Sequence, residues 1–169
     1  MRFPFDELNM RDHQHVEWVK STRDAELWHA AAMAVVNVLG DPRGFLVWLA
    51  DQPEMDRATA GYVFLTYGSR YLRGQTDFSG GEGMSGEQWL NALSAICRRA
   101  ATTGFSNDSL GLDPAWEPQR QACLDVIARG EMSAGIPVPH ALLDAPFPPA
   151  RKLRYFVEDG AVLDYNPGP

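Results

Sequence analysis

The sequence contains little cysteine, and no apolar secretory segment precedes the two cysteines that it has. Cys97 and Cys123 both fall on predicted helix faces with apolar neighbours, so we expect buried, reduced thiols in a cytoplasmic protein. A disulfide between them is the open alternative. A metal centre needs more ligands than two thiols, and the sequence predicts none.

The sequence also lacks an excess of positive charge. It has 15 Lys and Arg residues against 22 Asp and Glu residues, a formal net charge of −7 and a pI of about 5.0. Nucleic acids and anionic membranes are bound through clusters of Lys and Arg, so neither is predicted as a partner. The acidic balance is compatible with a basic protein partner, although simple solubility is the plainer explanation of the same charge.

No catalytic or metal-binding motif stands out in the sequence. His13, His15 and Glu17 form H-x-H-x-E, but helix positions two residues apart point about 200° apart and do not converge on one ion. His29, in an alanine-rich helix, and His140, after a proline, are predicted to be structural. A small enzyme with an unrecognised site formed by a histidine and a carboxylate is an open alternative.

The glycine-rich segment 80–86 does not fit a phosphate-binding loop. No Gly-Lys-Ser or Gly-Lys-Thr ending follows it, and Glu82 and Glu87 would repel a phosphate. We therefore predict no cofactor and no catalytic residue.

Composition and periodicity predict one mainly α domain over residues 1–169. With 45% hydrophobic residues, a chain of 169 residues can bury a core without cross-links. Apolar residues recur at three- and four-residue spacing, which predicts a helical bundle of about six helices. The predicted helices run from Asp12 to Lys20, from Ser21-Thr22 to Gly40, from Asp41-Pro42 to Gln52, from about Asp56 to Leu72, from Ser85 with its capping partner Gln88 through Ala100, and from Asp113-Pro114 to Gly130.

The helix after Asp56 is predicted to be the central element of the fold. Apolar residues surround almost all of it, which is typical of a buried helix. Gly61 and Gly68 lie on nearly the same side, and each costs about 1 kcal/mol in helix propensity relative to Ala. Close approach of a neighbouring helix best explains that loss.

A small β-hairpin is predicted at residues 151–166. Asp159-Gly160 fits a two-residue type I′ turn between the strand-forming runs Tyr155-Phe156-Val157 and Ala161-Val162-Leu163. Because an isolated hairpin is marginal in water, we expect it to pack on the helices.

One segment resembles a known family. The run WLADQPEMDRATAGYVF, from Trp48 to Phe64, is similar to the core of a bacterial family catalogued as domain of unknown function number 4274, in which a W-L-A-x-Q-P-E-x-D-x-A-T-A pattern recurs. The pattern carries no catalytic motif. The resemblance implies a small, acidic protein of the kind encoded near secreted toxins, and therefore an immunity or accessory role.

We predict a stoichiometric protein-binding module, most concretely an immunity protein that neutralises a basic bacterial toxin. Its acidic residues lie on irregular segments, where function often resides, and Trp116 is the predicted aromatic anchor, with core packing as its competing role. An adaptor or chaperone for a secreted effector is the alternative, and either a monomer or a homodimer fits the sequence. The predicted partner-binding residues are Asp77, Glu82, Asp108, Asp113, Trp116 and Glu117.

Overall fold

The computed structural model describes residues 3–78 and 83–165, and most of its regular structure is helical. The predicted fold class is confirmed, because α-helices dominate and a small antiparallel sheet contains the C-terminal hairpin. The α-helices of the described residues are α1 (His13–Ser21), α2 (Ala25–Ala34), α3 (Phe45–Ala50), α4 (Arg57–Phe64), α5 (Gly68–Leu72), α6 (Gly86–Ala101), α7 (Glu117–Ala128) and α8 (His140–Leu143). A π-helix, Val35–Leu39, continues α2, and a 3-10 turn, Pro114–Trp116, precedes α7.

Side-chain caps begin several helices where the sequence predicts them. Asp12, Asp56 and Ser85 each accept a hydrogen bond from a backbone N–H of the first turn, which satisfies a donor that has no partner inside the helix. Gln88 completes the predicted capping box at Ser85. These helix starts follow from local side-chain chemistry alone.

The predicted start of the second helix at Ser21-Thr22 is wrong. Thr22 instead ends α1, because its hydroxyl donates to the Val19 carbonyl at 2.7 Å. α2 begins at Ala25, and the Asp24 carboxylate caps it by accepting the N–H groups of its first turn. The carboxylate of Asp24 is therefore the N-cap of α2, because the hydroxyl of Thr22 bonds to the preceding helix instead.

The predicted start of the third helix is also displaced. Asp41-Pro42 lies in a turn, and α3 begins at Phe45 after Gly44, whose φ of 64° is left-handed. Asp41 nevertheless supplies the cap from outside the helix. Its carboxylate accepts the N–H of Phe45 at 2.7 Å and that of Leu46 at 3.1 Å. The prediction of Asp41 as the capping residue is confirmed, but the sequence pattern does not show the turn between Asp41 and the first residue of α3.

The single long helix predicted after Asp56 consists of two helices. α4 ends at Phe64, a turn follows, and α5 begins at Gly68. A Cβ at Gly68 would lie 2.6 Å from the Phe64 ring and 2.9 Å from Sγ of Cys123 in α7. This break and the one-turn helix α8 raise the number of helices above the predicted six.

The predicted close approach at Gly61 is present, but the neighbour is not a helix. A Cβ on Gly61 would lie 2.6 Å from Cζ of Phe147 and 2.9 Å from Cδ1 of Leu112, both outside the helices. A side chain at this position would therefore displace two irregular segments that pack directly on α4.

The sheet consists of β1 (Leu8–Asn9), β2 (Tyr155–Glu158) and β3 (Ala161–Asp164), in the order β1-β3-β2 with antiparallel pairing. The predicted hairpin is confirmed, and both turn residues have the positive φ that a type I′ turn requires, 51° at Asp159 and 80° at Gly160. The sheet packs on α2, and the Tyr155 hydroxyl donates to the Asp24 carboxylate at 2.7 Å. Asn166, the last residue of the predicted hairpin range, lies outside the described residues.

Both cysteines are buried, free thiols, as predicted. Burial raises the pKa of each thiol to about 12, and Sγ of Cys97 lies 3.3 Å from the Pro137 carbonyl oxygen. Across residues 3–78 and 83–165, no helix combines the length and the apolar character needed to cross a membrane.

Candidate functional site

The start of α4 holds a distant segment of the chain through one buried arginine. Arg57 is only 4% exposed, and its guanidinium donates to the carbonyls of Ala141 at 3.1 Å, Leu142 at 2.8 Å and Pro146 at 3.3 Å. A further hydrogen bond goes to the carbonyl of Ala145. A guanidinium has five N–H donors, so this one buried side chain can hold several carbonyls of residues 141–146 at once.

The neighbouring Asp56 fixes a second segment. Its carboxylate caps α4 by accepting the N–H of Ala58 at 2.8 Å, and it also accepts the N–H groups of Ser109 at 2.9 Å and Leu110 at 3.2 Å. Hydrogen bonds to a carboxylate are stronger than those between neutral groups. Asp56 and Arg57 thus attach the loop before the 3-10 turn and the segment after α8 to the same end of one helix.

Gly61, one turn further along α4, lets these two segments pack side by side. The absence of a Cβ allows the Phe147 ring and Leu112 to lie against the helix backbone. Leu112 pairs with the second segment by donating its N–H to the Pro148 carbonyl at 3.0 Å. The guanidinium of Arg57 lies 4.0 Å from the Phe147 ring centroid, and this cation–π contact helps to fix the position of the ring.

The two segments line a half-open cavity of about 230 Å³, which we call the Trp116 pocket. Its walls are apolar except for two carboxylates. The lining residues are Leu112, Asp113, Pro114, Trp116, Glu117, Pro146, Phe147 and Pro149. Trp116 is half-buried: it packs on Tyr62 of α4 with ring centroids 5.3 Å apart, and it also lines the pocket.

The two carboxylates of the Trp116 pocket differ in their hydrogen-bond partners. Both oxygens of Glu117 accept hydrogen bonds from Arg120, and Gln121 adds a third. These bonds lower the pKa of Glu117 to about 2. Asp113 is exposed, and its Oδ1 accepts the N–H of Ala115 at 2.8 Å. Among the described residues no hydrogen-bond partner contacts its Oδ2, so Asp113 carries the charge that remains available.

The structure brings together three of the six predicted partner-binding residues, Asp113, Trp116 and Glu117, in this pocket. Asp108 lies nearby, where its carboxylate pairs with Arg57 at 3.2 Å. Asp77 is exposed in a different connection, between α5 and α6, and does not line the pocket. Glu82 lies outside the described residues.

The histidines do not line this pocket, nor the two larger cavities described below. His13 is exposed, and His15 accepts the N–H of Asn9 while its ring stacks on a phenylalanine. His29 is buried, and its Nδ1 lies 2.8 Å from the Thr59 hydroxyl; burial lowers its pKa to about 4, partly opposed by the charge of Asp56. The Nδ1 of His140 lies 3.1 Å from the Asp144 carboxylate on the surface.

Two larger cavities lie elsewhere in the described part of the molecule. One, of about 470 Å³, separates the C-terminal ends of α3 and α6, where Arg99 donates to the carbonyls of Ala50 at 3.0 Å and Gly104 at 2.9 Å. One of the two arginines that line it, Arg99, is therefore engaged in holding the fold, while Arg98 is exposed. The other, of about 530 Å³, lies between residues 3–6 and the outer side of β2 and β3. Neither contains a predicted partner-binding residue.

Sequence reasoning missed the residues that shape the pocket. Phe147 lies in a proline-rich segment that has no apolar periodicity, and nothing in the sequence distinguishes Arg57 from an ordinary charged residue in the first turn of a helix. One signal was available for Gly61, because its loss of helix propensity requires a packing partner. The identity of that partner depends on the tertiary fold.

A comparison of the chain with protein-family models, with curated proteins and with solved structures found no match. Within the described part of the chain, no cluster of three or more His, Cys, Asp or Glu side chains is arranged to hold a metal ion.

Proposed function

We propose that this chain is a stoichiometric protein-binding module whose contact surface centres on the Trp116 pocket. The observation that supports this most is the position of Trp116, half-buried on Tyr62 and flanked by the exposed Asp113. Binding energy in protein interfaces concentrates in tryptophan, tyrosine and arginine side chains at apolar centres with polar rims. The Trp116 pocket has an aromatic side chain among apolar residues, and it has carboxylates as polar neighbours.

The size of the pocket favours a protein partner over a small molecule. Small-molecule sites have volumes of about 300–1,000 Å³ and bury most of their ligand. The Trp116 pocket, at about 230 Å³, has room for a side chain that projects from a larger surface. Its walls are also fixed by the hydrogen bonds of Asp56 and Arg57, so little ordering is needed on binding.

The role we propose is that of a cytoplasmic immunity protein that blocks a basic toxin. The net charge of −7 and the resemblance of segment 48–64 to the family of unknown function number 4274 support this role. A negative protein attracts a basic partner at long range and speeds their association. An adaptor for a secreted effector would use the same surface and the same complementarity.

Co-expression with the product of the neighbouring gene tests the proposal. An immunity protein forms a one-to-one complex with that product and restores growth of cells that express it. A complex without restored growth would identify an adaptor and would reject immunity. Absence of both a complex and protection would contradict the protein-binding proposal itself.

We do not propose an enzyme. Two pairs of a histidine and a carboxylate, His15 with Asp12 and His140 with Asp144, do not line any of the three cavities described above. His29 contacts Thr59, whose side chain is 1% exposed, so the hydroxyl is not accessible to a substrate.

A further inference from the structure

We infer that the Trp116 pocket binds one arginine side chain of the partner, with the guanidinium stacked on Trp116 and paired with Asp113. This inference rests on the proposed protein-binding function and specifies the chemistry of the same site. Four features of the pocket carry it: its volume, its apolar walls, its residual charge and the ring that remains available for stacking.

The shape of the pocket suits a long side chain with an apolar stem. Leu112 and the prolines 114, 146 and 149 form walls without charge, and Asp113 and Glu117 are the two carboxylates among the lining residues. Arg and Lys bury their methylene stems against apolar surface while the charged end reaches a polar group. A short polar side chain would leave these walls without contacts.

The charge of the pocket favours a cation. Asp113 is the exposed carboxylate of the pocket and its support that has no cationic partner among the described residues, because Asp108 and Glu117 are paired and Asp56 is buried and accepts backbone N–H groups. Arg57 is paired with Asp108 and Arg120 with Glu117. The uncompensated charge therefore lies on Asp113, at the exposed side of the pocket.

Trp116 is the ring available to a second guanidinium. Phe147 already has the Arg57 guanidinium 4.0 Å from its centroid, and a second cation on the same ring would be repelled by the first. Indole is also the best aromatic partner for a cation. A planar guanidinium stacks on it and still donates to a carboxylate, which an ammonium group does less well. We therefore expect arginine rather than lysine.

Titration of the full chain with three small probes tests this inference. The probes are n-butylguanidinium, its neutral isostere n-butylurea, and n-butylammonium, followed by NMR at low salt through the indole N–H of Trp116. We expect n-butylguanidinium to bind about three- to five-fold more tightly than n-butylurea, and more tightly than n-butylammonium. High salt should reduce the preference over n-butylurea, because the Asp113 carboxylate is exposed.

Matched variants locate the effect. Asp113→Asn keeps a good capping residue, so the chain should fold, and the preference for n-butylguanidinium over n-butylurea should disappear. Asp125→Asn removes another exposed charge, on α7 and outside the pocket, and should leave the preference unchanged. Trp116→Phe removes the indole signal and is therefore followed through the backbone N–H groups of Ala115 and Glu117; it keeps an aromatic contact with Tyr62 and should weaken n-butylguanidinium more than n-butylurea.

Equal affinity for the three probes, or an unchanged preference in Asp113→Asn, would overturn the inference. That result would leave the proposed function standing if the co-expressed partner still forms a complex and protects cells. Conversely, loss of the complex with a retained guanidinium preference would reject the proposed function without rejecting the chemistry of the pocket. The two failures are therefore distinguishable.

Discussion

Arg57 and Phe147 lie on segments far apart in the chain, yet the guanidinium of one lies 4.0 Å from the ring centroid of the other. The same guanidinium donates to carbonyls of residues 141–146, so the ring and its backbone are held by a single side chain. The wall of the Trp116 pocket is thus built from the first turn of α4. Changes in that turn should alter both stability and binding.

Replacement of Arg57 by Met should destabilise the fold strongly. The substitution keeps an apolar stem but removes the donor of four carbonyls, of which that of Leu142 is buried and the others are partly buried. Because a hydrogen bond to a charged group contributes about 1.5–3 kcal/mol, a loss of about 3–5 kcal/mol in the free energy of unfolding is expected. Urea unfolding measures this loss. Arg23→Met is the control, because Arg23 pairs with Glu54 while its own side chain is 77% exposed, and its removal should change stability by less than about 1 kcal/mol. Similar losses in both variants would contradict the role assigned to Arg57.

Gly61→Ala should lower stability although alanine is the better helix former. The gain in helix propensity is about 1 kcal/mol, while overpacking costs about 1–3 kcal/mol, and the new Cβ would lie 2.6 Å from Phe147. The movement of Phe147 should also weaken binding of n-butylguanidinium. Gly68→Ala, whose Cβ would meet Phe64 and Cys123, should lower stability without affecting the probe. Equal effects of the two variants on probe binding would exclude a specific link between Gly61 and the pocket.

His29 should make the protein sensitive to mild acid. Its pKa falls from 6.5 to about 4 on folding because burial disfavours the charged ring. The unfolded chain therefore binds the proton more readily, and this contribution to stability is complete above pH 6.5 and is lost as the pH falls towards 4. The loss should approach about 3 kcal/mol. Urea unfolding of the parent and of His29→Asn at about pH 7 and about pH 4.5 tests this, and the variant should lose less stability between the two. Parallel pH profiles would show that His29 does not contribute.

Cys97 and Cys123 should react with a thiol reagent only after unfolding. Both are free and buried, and burial raises the pKa of each thiol to about 12, so little thiolate forms at about pH 8. Labelling by iodoacetamide should be slow in the native protein and fast for two thiols in urea. Absence of labelling in urea without a reductant would show a disulfide between them.

Local chemistry made much of the fold predictable. The helix starts next to Asp12, Asp56 and Ser85, and the two-residue turn at Asp159-Gly160, depend on a few adjacent residues and appear where the sequence places them. The break before Gly68 and the pairing of β1 with β3 depend on residues distant in sequence. A two-residue strand has too short a pattern to recognise without its partner.

The candidate site was predictable only in part. Asp113, Trp116 and Glu117 lie together around one helix start, and sequence reasoning singled them out for their charge and aromatic character. The opposite wall, with Phe147, comes from a segment joined to α4 by the hydrogen bond between Arg57 and Ala145, which are 88 residues apart. The segment from Trp48 to Phe64 contributes the scaffold, since Asp56, Arg57 and Gly61 position both walls.

The affinity of the complex with the co-expressed partner, measured by calorimetry, tests the role of the Trp116 pocket most directly. If Trp116 anchors the interface, Trp116→Ala should raise the Kd by about 30-fold or more, while the variant remains folded in urea unfolding. Asp125→Asn, on α7 and outside the pocket, should leave the Kd unchanged. A Kd that is the same for Trp116→Ala, Asp125→Asn and the parent protein would contradict the assignment of the Trp116 pocket as the partner-binding surface.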